Sequence, residues 1–577
     1  MAKFVLFLTL LISIVFKNYA EFQVFYDWTV SYSKRAPLGV EKQVIVINDQ
    51  FPGPLLNATT NDVVSVNIRN NLNEPFLLTW NGVQLRRNSW QDGVQGTNCP
   101  IKPGQNWTYN FQVKDQIGSF FYFPSLLLQK AGGGYGPIRI NNRNVVPIPF
   151  PQPYQDYDIL IADWYNSDHR DLRALLEGGN SFPKPDGILI NGLGPYQASF
   201  NFQPGAQYRL RISNVGQKTS LNFRIEDHLL LLVETEGSYT LQQYYSSLDI
   251  HVGQSYSVLV TAKAQSESKS YYMVASSRFN GLPELSGIAI IRYPHSQRAP
   301  LGPLPQGPLP NDFGFSLDQA LSIRWDLSVG AARPNPQGSY RYGSINITRT
   351  LHLKNGVILN DNKLRYTING LSFIYPNTPL KLADYYRIQD VQLGVVGDRP
   401  EETSPTLGTF VIDAFYHDYV HVVFSNPREE LQSWHIDGYN FFVVGMGNGV
   451  WNESKMASYN MVDAVSRSTV QVYPNSWTAI LINLDNRGMW NLRSQVAENW
   501  YLGQELYIRV KGVGEEDPFN IPIRDELPIP SNAILSTLFS IFCSFFFFLF
   551  LFLFFFVFFI FFLKNGENKK DEEEKKN

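Results

Sequence analysis

Cysteine is nearly absent: Cys99 and Cys543 are the only two in 577 residues. A disulfide framework therefore cannot hold a chain of this length, and its apolar cores must do so. Histidine is scarce too, at eight residues, which caps the imidazoles that any metal centre could draw on. There is no basic excess. Lysine and arginine total 48 against 51 acidic residues, a net charge of −3, so nothing points to nucleic acid. Charged residues make up only 17% and apolar ones 44%, which excludes general disorder and allows large cores. Long amphipathic helices are missing as well; the one helical stretch that stands out is short, Asp171 to Glu177.

Both chain ends carry long apolar runs. Met1 to Ala20 (1–20) reads as a secretory signal peptide: Lys3 is the charged start, Phe4 to Phe16 the apolar run, and Ala20 a small residue before cleavage. That run is short for a bilayer span, which weighs against an anchor. Secretion gives meaning to four glycosylation sequons, at Asn57, Asn106, Asn346 and Asn452. Residues 534–563 are thirty in number and carry no charge, where about 20 apolar residues suffice to cross a membrane. The tail 564–577 is polar, with five lysines and five acids. One reading is a single-pass anchor with Lys564, Lys569 and Lys570 on the inner side. Another is a glycolipid-anchor signal after the small residues Ser531, Asn532 and Ala533. Composition alone also admits an artefactual tail.

Between these ends the pattern is all β. Phe22 to Tyr32, Glu41 to Asn48 and Asp62 to Arg69 alternate apolar and polar residues, as half-buried strands do. Proline clusters at Pro147 to Pro153 and in 294–310 read as linkers. They divide the chain into β units at 21–146, 154–293 and 344–530, with 294–343 as a Pro-rich linker. Gly187-Ile-Leu-Ile-Asn191-Gly is echoed by Tyr366-Thr-Ile-Asn369-Gly. Three successive β-sandwiches fit this spacing.

Four segments, in order, carry a family resemblance. They are Leu78-Thr-Trp-Asn-Gly82 with Asn98-Cys-Pro-Ile-Lys-Pro-Gly104; Gly118 to Ser125; Ser433-Trp-His-Ile-Asp-Gly438; and Trp490 to Gln504. From Phe22 to about Ile529 the chain resembles the multicopper oxidases, the group of ascorbate oxidase and laccase. The resemblance implies three consecutive cupredoxin-like Greek-key β-sandwich domains, a mononuclear copper in the third, and a trinuclear cluster between the first and third. In that family the first segment reads His-Trp-His-Gly, where this chain has Thr79 and Asn81. The second reads His-x-His, where it has Phe123 and Ser125. The third carries histidines at the positions of Gln432, His435 and Asp437. The fourth reads His-Cys-His, then His, then an axial Met; here stand Arg493, Ser494, Gln495, Asn499 and Gln504. Of all these, only His435 keeps a ligand type. The family cysteine that bonds near the C-terminus matches Cys99. Ser536 stands near the partner position and Cys543 is a distant substitute, which leaves that disulfide open.

The chemistry of these replacements matters. Electron uptake at such a site needs a thiolate and imidazoles to tune copper, and Ser494 and Gln504 supply neither. A trinuclear cluster needs eight imidazoles, whereas the chain's eight include unrelated ones such as His169 and His295. Arg493 adds a fixed cation that repels cupric ions. No catalytic residue and no cofactor are therefore expected, with copper only under an alternative reading. Arg493 and Asp437 stand where two cluster ligands would face each other, and are expected to pair, or to share one network with His435, because burying either charge alone is costly. Gln432, Ser494, Asn499 and Gln504 should gather as neutral hydrogen-bonding groups at the mononuclear position. His417 and His421, four apart in a run read as one strand, are expected as an exposed pair and not a metal site. Gly132 to Gly136 lacks the lysine and helix of a phosphate loop and reads as a turn.

Thr469-Val-Gln-Val-Tyr-Pro474, Trp477-Thr-Ala-Ile480 and Arg524 to Pro530 match a plant subgroup, the ascorbate-oxidase-like pollen glycoproteins and the skewed-root-type monocopper-oxidase-like proteins. That resemblance implies a secreted or membrane-anchored glycoprotein of the cell wall or the outer face of the plasma membrane, acting in cell expansion or directional growth with wall components as partners. The alternatives are a copper oxidoreductase with residual activity and a wall-polysaccharide binding module.

Overall fold

The computed structural model of the protein describes residues 23–512, apart from 265–268, 282, 295, 297–299, 329–340, 387, 389–392 and 401–404. The signal segment, Cys543, the run 534–563 and the tail 564–577 lie outside the described residues.

The alternating runs become strands with one buried face. In the first sandwich, Gln23–Arg35 pairs antiparallel with Lys42–Ile47 and parallel with Val63–Asn70, which continues to Asn106–Gln112. The facing sheet runs Leu56–Thr59, Gly136–Asn141, Gly118–Pro124, Leu78–Asn81. Trp28, Trp80, Tyr109 and Tyr122 fill the space between them. The second sandwich packs a six-stranded sheet and a five-stranded one. In the third, the long strand Arg349–Asn360 belongs to both layers. Its first half pairs parallel with Tyr419–Asn426, and its second half pairs antiparallel with Lys363–Ile368. The fold is all-β: three consecutive cupredoxin-like sandwiches.

The internal echo is a shared turn. Asn191 and Asn369 both adopt positive φ, 49° and 52°, and each is followed by a glycine at positive φ. Each asparagine side chain ties down the neighbouring strand: Asn191 accepts from Leu160 N at 2.7 Å, and Asn369 from Lys354 N at 2.7 Å. An Asn-Gly pair suits this turn because both residues tolerate the left-handed region.

Several expectations are corrected. The segment 294–343 is not purely a linker, since Phe313–Ser322 is an α-helix, capped by Asp312 Oδ1 accepting from Phe315 N at 2.9 Å. At ten residues it exceeds the His169–Glu177 helix. Its weak apolar periodicity hid it; Ser316 and Gln319, not apolar residues, are its buried side chains. The run Phe415 to Phe424 is not one strand but a reversal, with His417 at φ 73° in the turn. His417 is exposed, but His421 is fully buried, 3.0 Å from the Tyr459 hydroxyl. They are not an exposed strand pair. The Pro147 to Pro153 stretch is packed in place, with Ile148 and Phe150 in a cluster with Ile117, Val233 and Tyr239.

Candidate functional site

The strand Gly488–Ser494 runs antiparallel between Gln432–Ile436 and Glu505–Lys511. Its register sets Arg493 opposite His435 on one side and Glu505 on the other. Because successive side chains alternate between faces, Arg493 shares a face with Asn491, His435 and Glu505, and Ser494 points to the other. Two adjacent residues thus feed two separate polar clusters.

On the first face, Arg493 is fully buried and its Nη1 is paired with Asp437 Oδ2. The same nitrogen donates to Asn491 Oδ1 at 3.1 Å, and the guanidinium lies 4.7 Å over the Trp500 ring. The other Asp437 oxygen is 2.9 Å from His435 Nε2, and His435 Nδ1 is 2.8 Å from Thr469 Oγ1. Burial pushes the Asp437 carboxyl up, but the Arg493 charge and the His435 hydrogen bond outweigh it and hold the group below the usual carboxylate range. Burial, followed by the Arg493 charge, lowers His435 despite Asp437. A neutral imidazole beside an ionised carboxylate carries its proton on Nε2, so Nδ1 accepts from the Thr469 hydroxyl. Both nitrogens of the surviving ligand-type residue are therefore occupied.

Further groups crowd this cluster. Burial, reinforced by the Asp437 charge, pushes the Asp92 carboxyl well up, although Thr97 Oγ1 donates to it and pulls the other way. Glu505 accepts from Asn491 Nδ2 at 2.7 Å, and burial raises its pKa to about 7. Phe123 meets Trp500 edge-on at 6.3 Å, and Lys130 Nζ lies 4.4 Å over the Phe123 ring, its pKa lowered by burial to about 7. Thr79 is buried across the strand pair from Phe123. Asn81 and Gln495 join the first and third sandwiches directly: Gln495 Nε2 donates to Asn81 Oδ1 at 2.6 Å, and Asn81 Nδ2 to Gly253 O of the second at 3.1 Å. Ser125 stands apart and donates to Gly93 O at 2.6 Å.

On the opposite face, Asn499 Nδ2 donates to Gln432 Oε1 at 2.9 Å and to Gln504 Oε1 at 3.1 Å. Ser494 accepts from Val496 N at 3.2 Å, and its own N–H goes to Gln504 O at 3.0 Å. All four side chains are buried and neutral. Above them opens a cleft of about 310 Å³, lined by Phe182, Lys218, Phe279, Phe313, Gln432 and Asn499.

This donor set does not fit a copper centre. It offers no thiolate, one imidazole already bonded at both nitrogens, and a buried guanidinium. Among the described residues, no three His, Cys, Asp or Glu side chains gather as a metal-binding group. Of the residues expected here, the structure joins His435, Asp437 and Arg493, joins Asn81 and Gln495, and joins Gln432, Asn499 and Gln504. Thr79, Phe123 and Ser125 stay outside these hydrogen-bonded sets, and Ser494 reaches the third set only through its backbone N–H, its hydroxyl accepting from Val496 N. Asp92, Lys130, Thr469, Trp500 and Glu505 were not anticipated. Glu505 opens the strand Glu505–Lys511 next to Gln504, so strand alternation could have found it; Trp500 lies on the short helix Ala497–Tyr501, and Asp92 and Lys130 come from distant segments. Asn57, Asn106, Asn346 and Asn452 are exposed. Cys99 is exposed and free among the described residues, and the segment that would hold its partner lies beyond them.

Residues 29–145, 155–296 and 377–514 each match a multicopper oxidase family profile. The chain is 49% identical over 551 residues to the Monocopper oxidase-like protein SKS1 of Arabidopsis thaliana, covering 92% of both chains. It is 49% identical over 507 residues to an L-ascorbate oxidase homolog of Brassica napus, covering 86% of this chain and 90% of that one. Among solved structures, Fet3p, a multicopper oxidase that functions in iron import, superposes with a TM-score of 0.73 at 20% identity, covering 89% of this chain and 94% of that one. The protein belongs to the multicopper oxidase family, in the plant branch of monocopper oxidase-like proteins and L-ascorbate oxidase homologues.

Proposed function

We propose that this protein is a cell-surface glycoprotein that keeps the ascorbate oxidase frame without its reaction and acts as a binding or structural module in cell expansion or directional growth. One observation carries the reading: the buried Arg493–Asp437–His435 network stands at three positions that the family resemblance assigns to the trinuclear cluster. A cupric ion there would meet a fixed positive charge and an imidazole with no free lone pair. The refilled sites are largely hydrogen-bonded, as expected of residues that hold a fold and not of a site left empty. Support for a place in the wall or at the outer membrane face comes from the Met1 to Ala20 signal, four exposed sequons and the apolar run 534–563. The open cleft above Gln432 and Asn499 favours a binding role over a purely structural one.

The test is elemental analysis of the purified glycoprotein together with oxygen uptake on ascorbate and on phenols. The expected result is copper far below one atom per chain and no uptake above background. Stoichiometric copper with turnover would instead establish the oxidoreductase alternative.

A further inference from the structure

A second pocket, of about 370 Å³, lies at the junction of the first and second sandwiches and shares no lining residue with the refilled positions. One wall is the end of strand Gly136–Asn141 and the segment after it; the other comes from strands Gln207–Asn214 and Leu230–Thr235. Three arginines line it: Arg143, Arg209 and Arg211. Arg209 forks onto Asp156 at 3.0 and 2.7 Å, and Arg211 Nε shares that carboxylate at 3.0 Å. Arg211 Nη1 donates to Ser119 Oγ at 2.8 Å and lies 3.9 Å from Glu234 Oε1. Glu234, the one carboxylate in the lining, accepts from Ser257 Oγ at 2.8 Å. Arg139 also reaches Asp156 at 3.8 Å and pairs with Asp158 at 2.6 Å, so four guanidiniums meet three carboxylates. Arg143 is the one left over: it is exposed and has no carboxylate within salt-bridge range among the described residues. The rest of the polar lining is the Tyr239 hydroxyl and the amides of Asn141, Asn142, Asn144 and Gln152.

We propose that this pocket binds an acidic sugar, a hexuronate unit of a polyanionic polysaccharide. A surplus of one cation matches a monoanionic carboxylate better than a dianionic phosphate ester. A free guanidinium fork binds a carboxylate through two parallel hydrogen bonds. Asn141 spends its amide nitrogen on Asn57 Oδ1 and Ala58 O, and Asn142 is bonded to Tyr239 and to the Arg143 N–H, but Asn144 and Gln152 carry no side-chain hydrogen bond among the described residues and offer donors and an acceptor to a ring of hydroxyls. The volume falls within the roughly 300–1,000 Å³ of small-molecule sites. The pocket lies apart from the refilled positions, so binding there is independent of metal content.

Calorimetric titration of the full glycoprotein with digalacturonate tests it, with a neutral disaccharide and sodium sulfate as controls. Saturable binding is expected for digalacturonate alone, weakening as salt rises. Arg143→Ala should weaken it by about tenfold or more, Arg143→Glu should abolish it, and Arg143→Lys, which keeps the charge but not the fork, should fall between. Arg143 is exposed, so all three variants should unfold at the wild-type temperature. No saturable binding to digalacturonate, equal binding of either control, or an affinity unchanged in Arg143→Ala would each overturn the proposal.

Discussion

Asp437→Asn tests the buried network directly. The substitution keeps shape and removes charge, leaving Arg493 fully buried beside a neutral amide. Arg493 has little to fall back on, because its Nε and Nη2 have no hydrogen-bond partner among the described residues. Breaking a buried ion pair by removing one partner costs about 3–5 kcal/mol. Glu505, the cross-strand neighbour of Arg493, can soften this: with its pKa near 7, it would ionise more readily once Asp437 is gone. The single variant should therefore sit at the lower end of that range, and Asp437→Asn combined with Glu505→Gln at the upper end. For a domain of this size, each kcal/mol moves the midpoint by about 2–4 °C, so losses of roughly 6–20 °C are expected. The partner experiment replaces both charges, Arg493→Met with Asp437→Leu. Apolar replacement of a buried pair is often neutral or stabilising by about 1–4 kcal/mol, so the double variant should recover most of the loss. Thermal and urea unfolding at pH 7 read both. Asp437→Asn within about 0.5 kcal/mol of wild type, or a double variant as unstable as the sum of its singles, would refute the pairing as an energetic unit.

Glu505→Gln should change the alkaline limb of stability. Burial raises this carboxyl from 4.5 to about 7, so its contribution is complete below the ordinary carboxyl range and is lost as pH rises through about 7. The variant should therefore gain about 3 kcal/mol over wild type at pH 8 or above and little at pH 4. The acid limb should reflect buried histidines. Burial lowers His421 to about 4 and His251 to about 3; stability is complete above their unfolded pKa of about 6.5 and falls as pH drops through those values. His421→Phe should flatten that fall in a pH series of melting temperatures. Glu236→Gln should cost about 3–5 kcal/mol in urea unfolding, because this buried carboxylate of the second sandwich accepts from Ser468 N at 2.6 Å and Thr469 N at 3.1 Å and pairs with Arg467 in the third. Gly93→Ala should prevent accumulation of folded protein, since a Cβ there would lie 1.7 Å from the Leu78 carbonyl oxygen at φ +71°; normal secretion yield would contradict this.

Much of the fold was legible because strand periodicity is local. Asp62 to Arg69 alternates in the sequence, and Val63–Asn70 is the strand it forms. The contact of Arg493 with Asp437 was legible for a related reason: facing strands leave two buried opposite charges little choice but to pair. The helix Phe313–Ser322 was not, because its buried residues are Ser316 and Gln319, and apolar periodicity carries no sign of them. The burial of His421 was hidden by the same limit. Its alternation within Tyr419–Asn426 is overridden by Trp451 and Tyr459, which arrive from a distant loop to cover it.

By itself the sequence determined residue chemistry: three β-sandwiches' worth of alternating strands, too few imidazoles and thiolates for a copper oxidase, and hydrogen-bonding or charged side chains at most of the vacated positions. Only the tertiary structure decided how those side chains are shared out. It placed Ser494 and Arg493 on opposite faces of one strand, closed both His435 nitrogens with Asp437 and Thr469, joined Asn81 to Gln495 across 414 positions, and left Arg143 unmatched beside three arginines that share Asp156. The reason is that composition and spacing bound which groups are available, whereas hydrogen bonds and charge balance depend on distances of a few ångströms between residues far apart in the chain.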